Sequence, residues 1–229
     1  MVDEELFETF EGLAGVQGIV HGFTLRRAEV DVCAERAVAL ERLDGHLRAG
    51  VAGLGFGWDQ LVTGEQVHGA EVEDIAFARE VEQGIEGVDA LVTARSDVLL
   101  GVYVADCAAV YLVDRREGVI GLAHSGRRGT ELGIVSRTLE TMGACYGTRP
   151  KDVRVQISPC IRPPDYEVDF ASEIRRQCVA AGVEQGEIYD DRVSTACDLE
   201  RYYSYRLEKG RTGRMLAMMG IAGTVDRGG

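Results

Sequence analysis

The sequence has few histidines and prolines, no Cys-x-x-Cys motif and no long uninterrupted apolar run. Four prolines without a triplet repeat exclude a collagen-like fibre, although 29 glycines are present. Six cysteines without a paired pattern favour reduced thiols, and a zinc ribbon or thioredoxin motif is unsupported. The longest apolar stretch, residues 98–113, is interrupted by Asp106 and is too short to span a bilayer.

Basic residues are scarce relative to acidic ones, 25 against 38, which gives a net charge of −13. This charge repels a polyanion such as DNA, and no long run of lysine or arginine offsets it. We therefore expect neither nucleic acid nor a membrane as a partner, although a locally basic pocket would still accept a small anion. The first six residues are acidic where a signal peptide would be basic, so we expect a cytoplasmic protein.

The apolar pattern predicts one domain over residues 1–229, with short flexible ends at 1–15 and 224–229. Three short apolar segments are typical of buried central strands: 98–105, 109–113 and 119–123. Further strands are predicted at 153–157 and 215–221, and helices at 32–48 (with Asp31 as a cap), 131–146, 169–181 and 198–208. Because strands and helices intermix without a strict βαβ alternation, we predict a mixed α/β (α+β) fold of layered sheets and helices.

Two histidines and a cysteine stand where predicted strands end: His68, His124 and Cys107. Strand ends at one sheet edge are where α/β proteins build sites, and this donor set would hold Zn²⁺ with a fourth position open. The alternative is that Cys107 is a small buried hydrophobe. The other two histidines, His21 and His46, are expected to be a hydrogen-bonded structural residue and a surface residue.

Glycine and arginine alternate with small polar residues in the segment 125–130, Ser-Gly-Arg-Arg-Gly-Thr. Thr130 is predicted to cap a following helix, and backbone amides near a helix start suit a phosphate ion. We expect phosphate contacts from Ser125, Gly126 and Arg128. A tight turn carrying two solvated arginines is an equally compatible interpretation.

Tyrosines and arginines recur near the C-terminus, in the segments 202–206 and 210–214. Together they could stack a planar base and bind an anion, with Arg206 and Arg214 as the anion-binding side chains. The alternative is an amphipathic helix followed by a loop into the last strand.

Seven motifs occur in an order that is jointly specific: His21-Gly22-Phe23, Gln66-Val67-His68-Gly69, Asp89-Ala90-Leu91-Val92-Thr93, Ala105-Asp106-Cys107, His124-Ser125-Gly126-Arg127-Arg128-Gly129-Thr130, Tyr166-Glu167-Val168, and Tyr203-Ser204-Tyr205-Arg206 with Thr212-Gly213-Arg214. In this order the chain resembles the YfiH-like laccase-domain family, once called multi-copper polyphenol oxidoreductases. Members of that family are described as purine nucleoside phosphorylases with adenosine deaminase and methylthioadenosine phosphorylase activity. The resemblance runs from about His21 to about Ile221.

The resemblance implies that His68, Cys107 and His124 hold a metal ion and that purine nucleosides and phosphate are the partners. A four-copper cluster is held mostly by imidazoles, and four histidines in total cannot build one. We therefore expect zinc, with copper as an ion that the site would accept in vitro by the Irving–Williams order.

Two features depart from the family pattern. The tryptophan that usually follows the second histidine motif is Arg127 here. The stretch from the motif at Tyr166 to Cys197 is shorter than is typical, which predicts a changed cover over the substrate.

The expected reaction is zinc-dependent phosphorolysis of adenosine, inosine or methylthioadenosine to the free base and a ribose 1-phosphate, with an adenosine deaminase activity beside it. Asp106 is the nearest carboxylate to Cys107 in sequence and is the candidate acid/base residue. Two alternatives stay open: a cysteine hydrolase with Cys107 as nucleophile and His68 or His124 as base, or an inactive metal-binding module. The sequence does not determine the oligomeric state.

Overall fold

Two mixed β-sheets and the helices around them make up the computed structural model, which describes residues 6–76 and 84–222. In these ranges the strands are β1 Phe7–Glu8, β2 Ile19–Thr24, β3 Leu61–Thr63, β4 Val72–Asp74, β5 Ala90–Thr93, β6 Leu99–Val104, β7 Ala108–Asp114, β8 Val119–Ser125, β9 Val153–Ile157, β10 Ile188–Asp190 and β11 Met215–Ile221. The α-helices are α1 Arg36–Gly53, α2 Arg127–Glu131, α3 Ile134–Tyr146 and α4 Phe170–Ala181.

The strands form a five-stranded sheet in the order β1-β2-β11-β6-β3 and a six-stranded sheet in the order β10-β9-β7-β8-β5-β4. The antiparallel pair β7–β8 lies at the middle of the larger sheet, with Ala109 opposite His124 and Ala108 opposite Ser125. The chain passes from the smaller sheet to the larger one between β6 and β7, at residues 105–107. This crossing brings Cys107 to the end of β8.

Burial on both faces explains why β7 is an almost continuous apolar run. Ala109, Tyr111 and Val113 belong to the core between the two sheets. The alternate residues Val110 and Leu112 belong to a second core, which includes side chains of α3 and α4. Successive side chains of a strand point to opposite faces, so a strand between two cores has no polar face. The predicted central strands are therefore confirmed.

The predicted helix at 32–48 begins later, at Arg36. Asp31 does not cap it, because the Asp31 side chain accepts hydrogen bonds from the Cys33 amide and from Arg42. The helix predicted at 131–146 is also divided, since Gly133 adopts a left-handed φ of 76° between α2 and α3. Glycine adopts such a φ without steric cost, so the chain turns there.

Residues 198–208, predicted as a helix, form turns instead. Backbone amides in this segment donate to distant side chains and not to carbonyls of a helix. The Tyr203 amide donates to Met215 Sδ and the Arg206 amide to Asp106 Oδ2. By contrast, the predicted helix at 169–181 is confirmed as α4, with Asp169 as its N-cap accepting from the Ser172 amide. Tertiary contacts override a local helical pattern in the first case and agree with it in the second.

The prediction of a flexible start does not hold for residues 6–15. This segment includes β1, and its side chains Phe10 and Leu13 are only 3% and 1% exposed in the core between the sheets. The predicted flexible tail at 224–229 lies outside the described residues. Among the described residues, no helix combines the length and the apolar character needed to cross a bilayer.

Candidate metal centre

Three side chains predicted from strand ends converge beside the start of β7 and the end of β8. The ligand atoms of His68, Cys107 and His124 lie within 4.8 Å of one another. The two imidazole rings meet edge to face, with their centroids 4.8 Å apart. The geometric prediction that these three residues meet is therefore confirmed.

Unusual backbone conformations position two residues of this centre. His68 has a φ of 58° and Asp106, immediately before Cys107, has a φ of 80°. Such values are sparsely populated by residues other than glycine, and they persist where surrounding contacts over-determine them. The His68 amide donates to Asp89 Oδ1, and the Asp106 carboxylate accepts three hydrogen bonds, so both turns are held by specific partners.

Gly126 lets Cys107 approach the strand that carries His124. A Cβ atom at position 126 would lie 2.4 Å from the Cys107 sulfur, far inside van der Waals contact. The glycine expected to contact phosphate is thus required for a different reason, because a larger residue would displace the candidate sulfur ligand.

The buried Asp89 carboxylate forms hydrogen bonds with both histidine-bearing segments of the centre. Its Oδ1 lies 2.8 Å from His124 Nδ1 and accepts the His68 amide at 3.0 Å. Its Oδ2 accepts the amides of Val67 and Gly69 at 3.1 and 2.7 Å. One buried carboxylate therefore orients one imidazole directly and fixes the turn that carries the other. Such carboxylate–histidine pairs fix the ring orientation of metal ligands.

The three groups form a coupled set of charges. Burial opposes ionisation of the Cys107 thiol, but the charge of His124 and hydrogen bonds from both imidazoles lower its pKa to about 6. Burial acts against the His124 imidazolium, but the Cys107 and Asp89 charges raise its pKa to about 9. The opposite shifts of the two pKa values favour a Cys107 thiolate beside a charged His124 imidazole.

The donor set fits zinc. Thiolate sulfur and imidazole nitrogen bind zinc at about 2.3 and 2.0–2.1 Å, so donors on one tetrahedral ion lie about 3.4–3.6 Å apart. The ligand atoms here lie within 4.8 Å of one another, so movements of the three side chains toward a common point bring all three donors to one ion. Because Nδ1 of His124 is taken by Asp89, its other ring nitrogen, Nε2, is the atom available to a metal. His68 is exposed, Cys107 is half-buried and His124 is buried, so the centre opens toward solvent on the His68 side.

A cavity of about 980 Å³ opens over this centre. Its wall is far more basic than the protein, whose net charge is −13. Six cationic side chains face two carboxylates: Arg36, Arg127, Arg128, Arg206, Lys209 and Arg214 against Asp106 and Glu131. Tyr103, Tyr166, Phe170 and Tyr205 add aromatic faces. The combination suits a ligand with a planar ring and negative charge.

The residues predicted to contact phosphate do not all line the cavity. Arg128 lines the cavity and is exposed. Ser125 is fully buried, is absent from the cavity wall, and its hydroxyl lies 2.8 Å from Thr130 Oγ1. Thr130 lies inside α2 and donates to the Gly126 carbonyl, so it does not cap a helix that starts after it. The phosphate contact of Arg128 stays a prediction, and Ser125 makes a structural contact instead.

Arg206 and Arg214 both line the cavity, and their predicted contact with an anion stays a prediction. The Arg206 guanidinium lies 5.4 Å from the Tyr166 ring centroid, and that of Arg214 lies 5.6 Å from the Tyr205 centroid. Tyr205 is 55% exposed, so its ring is available to a ligand in the cavity.

Asp106 lines the cavity, but both of its carboxylate oxygens are engaged. Oδ1 accepts from Thr195, and Oδ2 accepts from the Ser204 hydroxyl and the Arg206 amide. These contacts favour an anchoring function, which joins the Cys107 turn to the segments around Thr195 and Arg206. The predicted acid/base function of Asp106 stays a prediction.

Arg127 occupies the position where the family pattern has tryptophan. Its guanidinium pairs with Glu131 at 3.0 Å and lies 3.8 Å from Glu167, which also pairs with Arg206 at 3.3 Å. A chain of ion pairs therefore links α2, the turn at Glu167 and the segment at Arg206 across one side of the cavity.

Sequence reasoning missed Asp89 and the cavity residues Arg36, Tyr103 and Phe170. Asp89 carried a usable signal, because an aspartate opening a short apolar strand must find buried partners. Arg36 and Tyr103 carried none, since an arginine at a helix start and a tyrosine in an apolar strand are each ordinary.

The fold and this centre define a member of a known protein family. Residues 40–177 and 168–222 match the family described as multi-copper polyphenol oxidoreductase laccase. The chain belongs to that family, which confirms the resemblance drawn from its motifs.

Characterised relatives carry a different description. The purine nucleoside phosphorylase YlmD of Geobacillus stearothermophilus is 32% identical over 203 residues, 73% of this chain and 74% of that protein. A purine nucleoside phosphorylase of Deinococcus radiodurans is 35% identical over 192 residues, 74% of each chain.

Solved structures agree with the fold. The crystal structure of YlmD from Geobacillus stearothermophilus superposes with a TM-score of 0.82 at 26% identity and covers 96% of this chain and 100% of that one. The YfiH protein of Bacillus licheniformis has the same fold, with a TM-score of 0.80 at 21% identity, covering 89% and 92% of the two chains. These matches confirm the predicted mixed α/β single-domain fold.

Proposed function

We propose that this protein is a zinc-dependent purine nucleoside phosphorylase that cleaves adenosine or inosine with phosphate. The observation that supports this most strongly is the convergence of His68, Cys107 and His124 at the floor of a basic, aromatic-lined cavity. The relatives named as purine nucleoside phosphorylases support the same reaction. Four histidines, two of them bonded elsewhere in the fold, argue against a multi-copper oxidase.

In the proposed reaction a phosphate oxygen forms a bond to the ribose C1′ while the bond from C1′ to the purine nitrogen breaks. The electron pair of that bond leaves with the purine, which takes up a proton. Arg128 on α2 lines the cavity and is proposed to hold phosphate, with Arg206 as a second cation of the same cavity. When bound, zinc supplies Lewis-acid stabilisation of negative charge on oxygen.

The purine is proposed to stack on Tyr205, which is held from behind. A Cβ atom at Gly210 would lie 3.2 Å from the Tyr205 ring, so the glycine backbone packs against one edge of that ring. The Arg214 guanidinium lies near the same ring. An aromatic ring fixed in this way offers a face to the base at little cost in conformational entropy.

Deamination of adenosine is the weaker part of the proposal. It needs a carboxylate that is free to move protons. Of the two carboxylates in the cavity wall, Asp106 accepts three hydrogen bonds and Glu131 pairs with Arg127. Phosphorolysis requires no such group beyond donors to phosphate and the base, so we place it first.

The test combines metal analysis with product analysis. Purified protein is assayed with adenosine or inosine, with and without phosphate, and its metal is measured by mass spectrometry. We expect one zinc per chain and phosphate-dependent release of base and ribose 1-phosphate. Cys107→Ala should lose the metal and most turnover while staying folded; Cys145→Ala, at an exposed cysteine of α3, is the control. Full activity in Cys107→Ala would refute the proposal, and full metal without turnover would indicate an inactive metal-binding module.

A cysteine hydrolase is the second candidate, and one observation favours it. Cys107, His124 and Asp89 form a thiolate–imidazole–carboxylate series of the kind that activates a nucleophile. The two functions differ in their response to zinc. If Cys107 is a zinc ligand, the zinc-loaded enzyme is active and bound zinc protects Cys107 from alkylation by iodoacetamide. If Cys107 is a nucleophile, zinc inhibits the enzyme and removal of zinc by a chelator restores its activity.

A further inference from the structure

The cavity holds more positive charge than one phosphate ion neutralises. Arg127 and Arg206 are paired with the carboxylates of Glu131 and Glu167. Within residues 6–76 and 84–222, no carboxylate forms an ion pair with the other four cations, which are Arg36, Arg128, Lys209 and Arg214. A phosphate group carries about −1.5 to −2 charges at pH 7, so four cations match two phosphate groups.

Three of these four cations lie on two walls of the cavity. Arg128 belongs to α2, which packs against β8, α3 and α4 on the side of the larger sheet. Arg36 opens α1 and Arg214 precedes β11, both on the side of the smaller sheet. Arg36 and Arg214 line the same cavity. Burial and the charge of Arg36 lower the pKa of Arg214.

Aromatic rings accompany the second wall. The Arg36 guanidinium lies 5.8 Å from the Tyr103 ring centroid, and Arg214 lies beside Tyr205. Arg214 is also fixed by its own backbone, since Nη1 donates to the carbonyls of Thr212 and Gly213. Two guanidinium groups that repel each other are thus held next to a base-stacking surface, where a bound anion would relieve the repulsion.

We propose that the preferred substrates are purine nucleosides that carry their own phosphate, such as adenosine 5′-monophosphate, with that phosphate bound by Arg36 and Arg214. This inference rests on the proposed phosphorolysis. Inorganic phosphate occupies the Arg128 wall, the base stacks on Tyr205, and the substrate phosphate faces the opposite wall. The phosphate oxygen attacks C1′, the bond to the purine breaks, and the products are the free base and ribose 1,5-bisphosphate.

The test compares adenosine 5′-monophosphate with adenosine at saturating inorganic phosphate. Zinc-loaded wild type should show a kcat/KM at least about tenfold higher for the nucleotide, which corresponds to about 1.4 kcal/mol. Arg36→Gln should reduce this preference about tenfold, and Arg36→Lys should restore part of it. Arg48→Gln is the matched control, because it removes one positive charge from the same helix at a residue paired with Asp44 outside the cavity.

Three outcomes separate this proposal from the phosphorolysis it builds on. If adenosine is cleaved as well as the nucleotide, the nucleotide proposal is wrong and phosphorolysis stands. If adenosine reaches the rate of the nucleotide only as a second inorganic phosphate binds, the second wall takes free phosphate, which also overturns it. If neither the nucleotide nor adenosine is cleaved, phosphorolysis is wrong. The nucleotide proposal is then tested by equilibrium dialysis, which measures the binding of both compounds. Nucleotide binding that is no tighter than adenosine binding, or that is unchanged in Arg36→Gln, overturns the proposal.

Discussion

Asp89→Asn is the substitution that tests the construction of the metal centre most sharply. The carboxylate is 1% exposed, and it accepts four hydrogen bonds, two at each oxygen. An asparagine has the same shape but only one oxygen. If that oxygen takes the Oδ1 position, the amide group faces the donors of Val67 and Gly69. If it takes the Oδ2 position, the amide group faces the donors of His68 and His124.

Either orientation of the amide therefore loses two hydrogen bonds and places donors against donors. A hydrogen bond to a charged group contributes about 1.5–3 kcal/mol, so two of them amount to about 3–6 kcal/mol of unfolding free energy. Loss of the partner that orients a ligating histidine typically weakens metal binding about 10–100-fold. We expect both effects in Asp89→Asn.

Urea unfolding of the metal-free protein measures the first effect, and competition with a chromophoric zinc chelator measures the second. Asp97→Asn is the control, because the Asp97 side chain is 60% exposed and forms an ion pair with Arg95. Surface pairs of this kind contribute about 0–1 kcal/mol. An Asp89→Asn protein that unfolds within about 1 kcal/mol of wild type and binds zinc within about twofold would refute the reasoning.

Three further substitutions address other parts of the structure. Gly126→Ala should displace the Cys107 sulfur and weaken zinc binding at least about tenfold in the same chelator assay, because the added Cβ would meet that sulfur at 2.4 Å. Asp106→Asn should keep most of the turnover if Asp106 is an anchor, since an amide can still accept from Ser204 and Arg206; a loss of about a hundredfold would instead support general acid/base catalysis. Burial lowers the pKa of His21 to about 4 from 6.5, so the unfolded chain binds the extra proton between these values and stability falls as the pH drops through this range. The loss should reach about 3 kcal/mol by pH 4 and be absent in His21→Gln, as measured by urea unfolding at a series of pH values.

The parts of the fold that the sequence predicts well are those with one dominant cause. The strands β6 to β8 are buried on both faces, and a strand in that position needs apolar side chains along almost its whole length. Helix α4 has a side-chain cap at Asp169 and an apolar stripe, and both signals agree. Local pattern and tertiary environment point to the same structure in each case.

The parts that the sequence does not predict depend on partners far away in the chain. Residues 198–208 have a helical pattern, but Asp106 and Met215 hold their backbone in turns. Asp89 gathers amides from residues 67–69, a convergence that no local pattern reveals. Ser125 has a favourable residue type for phosphate, but its place in β8 buries it.

The candidate site likewise has residues that the sequence predicts and residues that it does not. The meeting of His68, Cys107 and His124 could be predicted from their residue types and from the strands predicted to stop beside them. In the structure His124 lies near the end of β8, Cys107 directly precedes β7, and His68 lies in the bend between β3 and β4. The charge of the second wall could not be predicted, since Arg36 and Arg214 are 178 positions apart in the chain and line one cavity only in the completed fold. Single residues at strand ends are visible in a sequence, whereas the composition of a cavity wall depends on the completed fold.

X-ray absorption at the zinc edge of the zinc-loaded protein tests the central claim most directly. If one ion is held by His68, Cys107 and His124, the spectrum should show one sulfur at about 2.3 Å and two imidazole nitrogens at about 2.0–2.1 Å. A spectrum with nitrogen and oxygen neighbours only, unchanged in Cys107→Ala, would contradict it.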